Sequence, residues 1–351
     1  MSDHPLNQLT QSDPSQILRY RDRQFAADLI AAALLEFNLF TVLADQPGIN
    51  FANLCEHFGW AHRPADVLLT LCRANGFIRN NQDDGIELTD VGKEFLTDGS
   101  PWSLKAYYRP IADSPVLKNY VQILKSGKPA NWQAKSDGAD WHESMKDPLF
   151  ARQFTDLMNC RGIAFGQHLA ASIADQMKDR KQMLDVGGGS GIYSATMVAR
   201  HPQLRATVLE QPPVDQIARQ EIAAHDLQDR IAVHSTDMFA ESWPQGFDTV
   251  LLSNVLHDWD LPEARQLVKR AADALPVDGL LIIHGAIING EKTGPLPVAE
   301  YSALLMNITQ GKCYSVAEYE QMLRPCGFEM APYKATIGDR GYVTALKVTD
   351  R

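Results

Sequence analysis

A histidine that follows an apolar run is the residue of this sequence best suited to proton transfer. His257 lies in the segment NVLHDWD, residues 254–260, which directly follows the apolar run DTVLLS. A neutral imidazole has an unperturbed pKa of about 6.5, so it can accept a proton from a hydroxyl group at neutral pH. His257 is therefore the candidate general base. Asp258 beside it could orient the imidazole or contact a bound ligand, and the sequence leaves both roles open.

A glycine-rich segment forms a second group of candidate functional residues. The sequence LDVGGGSG, residues 184–191, follows an apolar run and precedes a predicted helix over 192–200. Glycines allow a sharp turn and let a ligand approach the main chain closely, and the helix N-terminus adds a partial positive charge. The spacing departs from G-x-G-x-x-G because position 192 is isoleucine. This favours a nucleoside without phosphates over a dinucleotide.

Acidic residues stand where a bound nucleoside would need them. Glu210 ends the second apolar run and could accept hydrogen bonds from both ribose hydroxyls. Asp237 follows the third run and could accept from an adenine amino group, while Met238 and Phe239 pack on the ring. Asp185 could face a cationic end of the ligand. Each residue alone also fits a turn, a strand end or a loop cap, but their order after three successive strands predicts one ligand site.

The elements that position these residues are predicted from the alternation of short apolar runs with helical stretches after residue 180. That alternation is typical of parallel strands joined by crossover helices. The last two runs, at 328–337 and 341–348, have no helix between them and predict an antiparallel pair at one edge. We therefore predict an α/β fold with a Rossmann-like, mostly parallel sheet in residues 181–351.

The first 105 residues predict a separate helical domain. The expected elements are helices at about 17–45, 51–58, 64–75 and 91–96 and strands at 77–79 and 86–88. This order is the outline of a winged helix, which can bind DNA. Acids outnumber Lys and Arg in residues 1–105, which is the wrong sign for phosphate binding. Dimerisation is therefore the predicted role, with residues 106–180 as a helical linker and substrate-pocket segment.

Composition restricts the protein class further. The chain has 351 residues, of which 45% are hydrophobic and 22% charged, and its net charge is −10. Its five cysteines are scattered without a CxxC pair, which favours reduced thiols over disulfides or a metal site. The polar N-terminal segment has no apolar signal core, and no run of about 18 apolar residues occurs. We expect a cytoplasmic protein that uses no metal and contacts neither membrane nor nucleic acid.

Four segments together resemble the small-molecule O-methyltransferase family, which includes plant caffeate-type enzymes and bacterial polyketide-tailoring enzymes. They are DVGGGSG at 185–191, LEQPPV at 209–214, STDMF at 235–239 and LLSNVLHDWD at 251–260. The HDW element at this distance is more specific than the glycine motif, and the resemblance covers almost the whole chain. It implies S-adenosylmethionine as cofactor, S-adenosylhomocysteine as product, a small-molecule substrate and a homodimer formed by the N-terminal winged-helix domain.

The resemblance also assigns roles to individual residues. It makes His257 the general base and supports cofactor contacts by the residues matching Gly187, Glu210, Asp237 and Met238. The full candidate cofactor set is Asp185, Gly187, Gly189, Glu210, Asp237, Met238, Phe239, Ser253 and Trp259. The candidate substrate residues are Met158, Met306 and Asn307.

Three positions depart from the plant pattern. Ser253 stands where a lysine often helps to seat the cofactor, and Gly285 and Cys313 stand where two acids flank the base. Without those carboxylates His257 loses an orienting partner. Methyl transfer to carbon or nitrogen, transfer by proximity alone, and a reaction other than methylation therefore stay open. A DNA-binding regulator that senses S-adenosylmethionine is the alternative from another functional class.

Overall fold

A computed structural model describes residues 4–129, 145–239 and 242–349. These residues form two compact units, each assembled from separate stretches of the chain. The described stretches of the sheet unit are 4–16, 145–239, 242–287 and 316–349, and those of the helical unit are 17–129 and 288–315. These boundaries differ from the three predicted segments, because residues 145–180 lie with the sheet and residues 288–315 lie with the N-terminal helices.

The secondary-structure elements are numbered here in chain order. The helices are α1 (Ser15–Asp22), α2 (Ala26–Ala31), α3 (Leu39–Asp45), α4 (Phe51–Phe58), α5 (His62–Ala74), α6 (Asp90–Leu96), α7 (Lys105–Tyr108), α8 (Pro115–Ser126), α9 (Pro148–Ser172), α10 (Ala174–Met177), α11 (Ile192–Arg200), α12 (Val214–Ala224), α13 (Leu261–Ala274), α14 (Leu296–Ile308) and α15 (Val316–Leu323). The strands are β1 (Ile78–Asn80), β2 (Ile86–Leu88), β3 (Gln182–Val186), β4 (Arg205–Glu210), β5 (Ile231–Ser235), β6 (Thr249–Ser253), β7 (Leu280–Gly285), β8 (Phe328–Met330), β9 (Lys334–Ala335) and β10 (Gly341–Lys347).

The helical unit contains the predicted hairpin, with β1 and β2 antiparallel and followed by α6. The single helix expected over 17–45 is wrong. The chain forms α1, α2 and α3 there, and Asn38 before α3 adopts a left-handed φ of 49°, which asparagine tolerates better than most residues. Among the described residues, no single helix is long and apolar enough to cross a membrane; only the bent pair Ala26–Glu36 and Leu39–Asp45 meets that test of length and composition.

The segment 288–315 is held in the helical unit by buried polar contacts. Its helix α14 packs against α5, and the Arg63 guanidinium donates to the Gly311 carbonyl oxygen at 2.7 Å. The Asp66 carboxylate accepts hydrogen bonds from the ammonium groups of Lys292 and Lys312. Burial acts to raise the pKa of Asp66, but the two lysines outweigh it and lower that pKa to about 2. The carboxylate therefore stays ionised and ties this late segment to the N-terminal helices.

The sheet unit confirms the predicted α/β fold. Its strand order is β5-β4-β3-β6-β7-β10-β8, with β9 paired to β10. The first five of these strands are parallel, while β10 runs antiparallel to β7, β8 and β9, as the missing helix between the last two apolar runs predicts. The chain moves outward from β3 to β5 and then returns to β6 on the other side of β3. Open sheets bind ligands at the carboxyl ends of strands at such a reversal.

The long helix α9 belongs to the sheet unit because two glycines let it approach α11 closely. A Cβ atom at Gly162 would lie 2.7 Å from Ile192 Cγ2, and one at Gly166 would lie 2.5 Å from Thr196 Oγ1. Both distances are far below van der Waals contact, so larger side chains would force the helices apart. This packing is why the predicted boundary at residue 180 does not separate two compact units.

Candidate active site

The glycine-rich loop between β3 and α11 adopts the backbone that its sequence predicts. Gly187, Gly189 and Gly191 have φ values of 63°, 57° and 76°, a region that side chains with a Cβ atom avoid. A Cβ atom at Gly187 would lie 3.2 Å from Val255 Cγ2 and 3.7 Å from Met238 Sδ. The loop therefore lies directly beside the segments that follow β5 and β6.

Asp185 lies at the end of β3 beneath this loop. Its Oδ2 atom accepts a hydrogen bond from Ser194 Oγ at 2.7 Å, which ties β3 to α11. Burial raises the pKa of Asp185 to about 6, although the bonds from Ser194 oppose that rise. Its buried Oδ1 atom has no hydrogen-bond partner in the described chain, and a bound molecule can satisfy it. Contact between Asp185 and a cationic ligand group stays a prediction.

Glu210 is in direct contact with the glycine loop. Its Oε2 atom accepts from the Gly189 amide at 3.0 Å, and its Oε1 atom accepts from the Gln211 amide at 2.9 Å. Burial raises the pKa of Glu210 to about 7, and the charges of Asp185 and Asp215 act in the same direction against the two amides. The carboxyl group is fixed in place and retains acceptor capacity for a ligand hydroxyl.

The segment after β5 supplies apolar surface next to the loop. Asp237 Oδ1 accepts from the Phe239 amide at 2.8 Å, which closes a tight turn. The Phe239 ring packs edge-on against Trp259, with centroids 4.6 Å apart and planes at 73°. Met238 lies beside Gly187 and Phe239 lies against Trp259, and an adenine ring can pack on apolar side chains of this kind.

His257 lies in a short 3-10 helix immediately after β6, and its side chain is buried. Its Nε2 atom is 3.8 Å from Asp258 Oδ1, too far for a hydrogen bond. Burial lowers the pKa of His257 well below 6.5, and the positive charges of Arg161 and Arg340 lower it further. The imidazole is therefore neutral at physiological pH, as a general base must be.

The two acids that follow His257, Asp258 and Asp260, have different roles. Burial raises the pKa of Asp258 to about 8, with Arg161 opposing that rise, so its carboxyl group is largely protonated at neutral pH. Asp260 instead caps α13, because its Oδ1 atom accepts from the Leu261 amide at 2.7 Å.

Ser253 belongs to a buried network of hydrogen-bonded side chains. Its Oγ atom is 2.9 Å from His284 Nδ1, and Asn254 Nδ2 donates both to Ser253 Oγ at 3.3 Å and to the Tyr193 hydroxyl at 3.0 Å. Burial, with the charges of Arg340 and Arg161, lowers the pKa of His284 to about 3. The candidate cofactor residue Ser253 is thus anchored to β7 through a neutral histidine.

The candidate substrate residues lie in different units. Met158 is on α9 in the sheet unit, where its Sδ atom accepts from Arg161 Nη2 at 3.0 Å. Met306 and Asn307 are buried on α14 in the helical unit. Cys313 is in that unit too, and its amide donates to Ser302 Oγ at 3.0 Å.

Sequence reasoning missed four residues of this site: Arg161, Tyr193, Asn254 and Arg340. Tyr193 and Asn254 follow the glycine loop and β6 directly, so their positions alone were a usable signal. Arg340 is fully buried in the turn before β10, and no local pattern connects it to His257. Within residues 4–129, 145–239 and 242–349, no group of three or more His, Cys, Asp or Glu residues could hold a metal ion.

Comparison with known proteins identifies the family of this chain. The sequence profile of the O-methyltransferase domain matches residues 117–329. The chain belongs to this family. It is an S-adenosylmethionine-dependent O-methyltransferase. The residues present fit that cofactor, because Gly189 has no atom near its missing side chain and Glu210 offers a fixed acceptor beside it.

Two relatives and one solved structure show the extent of the similarity. The 3-hydroxy-5-methyl-1-naphthoate 3-O-methyltransferase of Streptomyces sahachiroi is 30% identical over 323 residues, 90% of each chain. The L-tyrosine C(3)-methyltransferase of Streptomyces lavendulae is 28% identical over 309 residues, 84% of this chain and 82% of that one. An O-methyltransferase family 2 protein from Planctomyces limnophilus, solved with apigenin, gives a TM-score of 0.86 at 27% identity and covers 99% of this chain and 100% of its own.

Proposed function

We propose that this enzyme methylates a hydroxyl group on a small aromatic or polyketide-like metabolite, with His257 as the general base. The observation that carries the proposal is the position of a neutral, buried imidazole directly after β6, the strand that adjoins β3 and its glycine loop. The names of the relatives support an aromatic acceptor, since hydroxynaphthoate and tyrosine both carry a phenolic hydroxyl.

The proposed mechanism uses the side chains on both sides of the sheet reversal. Gly187, Gly189 and Glu210 would hold the cofactor, which would supply an electrophilic methyl group on a sulfonium and leave as S-adenosylhomocysteine once its methyl–sulfur bond breaks. His257 would accept the proton of the acceptor hydroxyl at Nε2, so that the oxygen is a phenolate when it is methylated. A phenolate is a far better nucleophile than a phenol, so this proton transfer lowers the barrier.

The arginine charges act on the acceptor as well as on the base. Arg161 and Arg340 lower the pKa of His257, which weakens it as a base. The same positive charges stabilise a phenolate bound nearby, because an opposite charge favours the ionised form of an acid. The two effects offset each other, and the site favours hydroxyl groups that ionise readily.

Transfer to a ring carbon is the second candidate reaction. It is favoured by the similarity to the L-tyrosine C(3)-methyltransferase. A phenolate carries negative charge on its ortho carbons as well as on oxygen, so deprotonation by His257 would serve both reactions. Orientation of the acceptor then decides which atom receives the methyl group. Nitrogen methylation and cofactor-sensing DNA binding have no specific observation in their favour.

The test is a turnover assay with S-adenosylmethionine and a panel of hydroxynaphthoates, flavones and simple phenols. Release of S-adenosylhomocysteine reports transfer, and mass spectrometry identifies the methylated product. For an acceptor with a single phenolic hydroxyl, the O-methyl product no longer shows the phenolate absorption shift in alkali, whereas the C-methyl product still does. Products without a new methyl group, or methylation of amines alone, would contradict the proposal.

We further propose that the helical unit mediates homodimer formation. Its surface carries large apolar side chains that a partner copy would cover: Ile17, Tyr20, Trp102, Leu104 and Tyr107. The exposed fraction is 73% for Tyr20 and 62% for Trp102. Light scattering should give twice the chain mass of 39.0 kDa, and Tyr20→Glu with Trp102→Glu should reduce it to that of one chain. A wild-type monomer at micromolar concentration would refute this proposal.

A further inference from the structure

One face of α9 is joined to the glycine loop by a side chain as well as by packing. Asn159, Gly162 and Gly166 are spaced three and four residues apart, so they share this face of the helix. The two glycines let α9 approach α11 closely. Asn159 lies one turn before them and reaches the loop itself, where its Oδ1 atom accepts a hydrogen bond from Ser190 Oγ at 2.9 Å.

The hydrogen bonds at Asn159 have a single direction. An ionised carboxylate only accepts, so the amide nitrogen of Asn159 must be the atom that faces Glu221, and it donates to Glu221 Oε2 at 3.3 Å. The amide oxygen therefore faces Ser190 and accepts from its hydroxyl group. The Ser190 oxygen in turn accepts from the Ile192 amide at 3.3 Å. The chain of hydrogen bonds thus connects the first residue of α11 through the loop and α9 to α12.

The glycine loop is held from two sides at this point. Ser190 stands between Gly189 and Gly191, both of which have left-handed backbones. The Gly189 amide donates to Glu210 at the end of β4, and the Ser190 hydroxyl donates to Asn159 on α9. The Ser190 side chain is only 4% exposed, so water does not readily replace the Asn159 oxygen. A ligand that fixes the loop backbone therefore also restrains α9.

The neighbouring stripe of α9 lies on the side of His257. It consists of Met158, Arg161 and Phe165, which are again three and four residues apart. Arg161 Nη2 donates to Met158 Sδ at 3.0 Å, and Arg340 Cζ lies 5.6 Å from the centre of the Phe165 ring. Burial lowers the pKa of His257, and the charges of both arginines lower it further. The helix thus meets the glycine loop and the surroundings of the base with adjacent residues.

We propose that Asn159 is a positioning residue that couples cofactor binding to the position of α9, and through α9 to acceptor binding. A cofactor that fixes the glycine loop holds Ser190, Ser190 holds Asn159, and the helix then presents Met158 and Arg161 to the acceptor. The inference rests on the proposed function for cofactor binding by the loop and for acceptor binding beside His257. Such coupling is reciprocal, so the acceptor also tightens cofactor binding.

Hydrogen–deuterium exchange with S-adenosylhomocysteine alone tests the coupling without any acceptor. In the wild type, saturating ligand should slow exchange of the amides of residues 156–163 about 3- to 10-fold, the range expected for one hydrogen bond that the ligand strengthens. In Asn159→Ala the loop at 187–191 should still be protected, whereas the protection of α9 should fall below about twofold. Absence of protection in wild-type α9, or equal protection in the variant, would overturn the proposal.

Two further variants separate coupling from folding. Ser190→Ala removes the same hydrogen bond from its other end, so its effect on α9 should not add to that of Asn159→Ala in the double variant. Arg152→Gln is the matched control, because it removes exposed contacts of α9 with Asp156 and Glu221 and leaves Asn159 in place. The control should keep the protection of α9. Loss of protection in Arg152→Gln would show that helix stability alone sets it and would refute the role of Asn159.

Steady-state kinetics test the consequence for the acceptor. With the best acceptor of the phenol panel and saturating S-adenosylmethionine, Asn159→Ala should raise the acceptor KM about 3- to 10-fold and lower kcat by less, because His257 is untouched. A fall in kcat at unchanged KM would contradict the coupling. If the wild type methylates no phenol of the panel, the proposed function fails, while hydrogen exchange in α9 still decides the role of Asn159.

Discussion

The two sides of the sheet reversal handle charge in opposite ways. After β3 and β4 the polar groups are carboxyls, and burial raises the pKa of Asp185 to about 6 and that of Glu210 to about 7. At the ends of β6 and β7 the bases are imidazoles, and burial lowers the pKa of His257 and His284, while it raises that of Asp258 to about 8. Burial disfavours the charged form in every case. The protein thus brings the pKa values of Asp185 and Glu210 towards neutral pH and keeps both imidazoles uncharged there.

We call the ends of β3 and β4 the cofactor side and the ends of β6 and β7 the acceptor side. The largest effect is expected from removing the base, His257, on the acceptor side. His257→Asn should lower kcat by about 10²- to 10⁴-fold, the usual contribution of general base catalysis, because the acceptor hydroxyl then keeps its proton. The S-adenosylhomocysteine Kd, measured by calorimetry, should stay within about twofold because the cofactor side is untouched. His57→Asn, an exposed histidine on α4, is the control. Equal losses of kcat and cofactor affinity would show that the two sides are not separable.

The next effect concerns Glu210 on the cofactor side. Ribose hydroxyls donate to an ionised carboxylate, so binding should favour the deprotonated form. With a pKa of about 7 in the free enzyme, the affinity for S-adenosylhomocysteine should rise as the pH rises from 6 to 8. The predicted gain is at most about tenfold per pH unit below the pKa. Glu210→Gln should bind more weakly and lose this pH dependence; a wild-type Kd that is flat over this range would contradict the role of Glu210.

A smaller effect is expected at the loop itself. Gly187→Ala adds a Cβ atom 3.2 Å from Val255 Cγ2 at a φ of 63°. The left-handed alanine costs roughly 1–2 kcal/mol, and the close contact should shift the loop that binds the cofactor and weaken binding about tenfold. Gly246→Ala is a matched control, since its φ is 97° but no atom lies within 4 Å of the added Cβ. Both variants should lose stability, and only Gly187→Ala should lose affinity. Calorimetry and thermal unfolding together measure the difference.

The last effect concerns stability in acid and leaves binding and turnover at neutral pH unchanged. The pKa values of His257 and His284 are lowered in the folded protein, so protons bind the unfolded chain preferentially. Their contribution is present above pH 6.5 and is lost as the pH falls below it, by up to about 1.4 kcal/mol per residue per pH unit. Urea unfolding at pH 7.5 and 5.5 measures the loss, and His284→Gln should reduce it. If the free energy of unfolding falls equally in wild type and variant between these two pH values, His284 does not contribute.

The cofactor side was largely predictable from the sequence, and the acceptor side was not. The strands β3 to β7 and the antiparallel edge both depend on neighbours within a few residues, and those patterns were read correctly. The contact of Glu210 with Gly189 follows from strand order. The lowered pKa of His257 depends instead on burial that only the folded sheet creates, and then on the charges of Arg161 and of Arg340, which lies in a turn near the end of the chain.

The two compact units divide the chain differently from the predicted segments for a similar reason. Gly162 and Gly166 give no periodic signal for docking on α11, yet they bring α9 to the sheet. The prediction of a single helix over 17–45 did not take account of Asn38. Asparagine tolerates the left-handed conformation that this residue adopts before α3. Contacts between residues that are far apart in the sequence decide where such helices break and dock.

The pairing of Asp66 with Lys292 and Lys312 limits how this gene can recombine. The helical unit needs residues from both halves of the chain, so a crossover at residue 180 that replaced the N-terminal half would bring in a new surface for the old segment 288–315. Where the incoming half has no acid at the position of Asp66, the buried ammonium of Lys312 lacks its carboxylate, a strongly destabilising state. Exchange of the segment 288–315 together with the N-terminal helices keeps the ion pair in one piece.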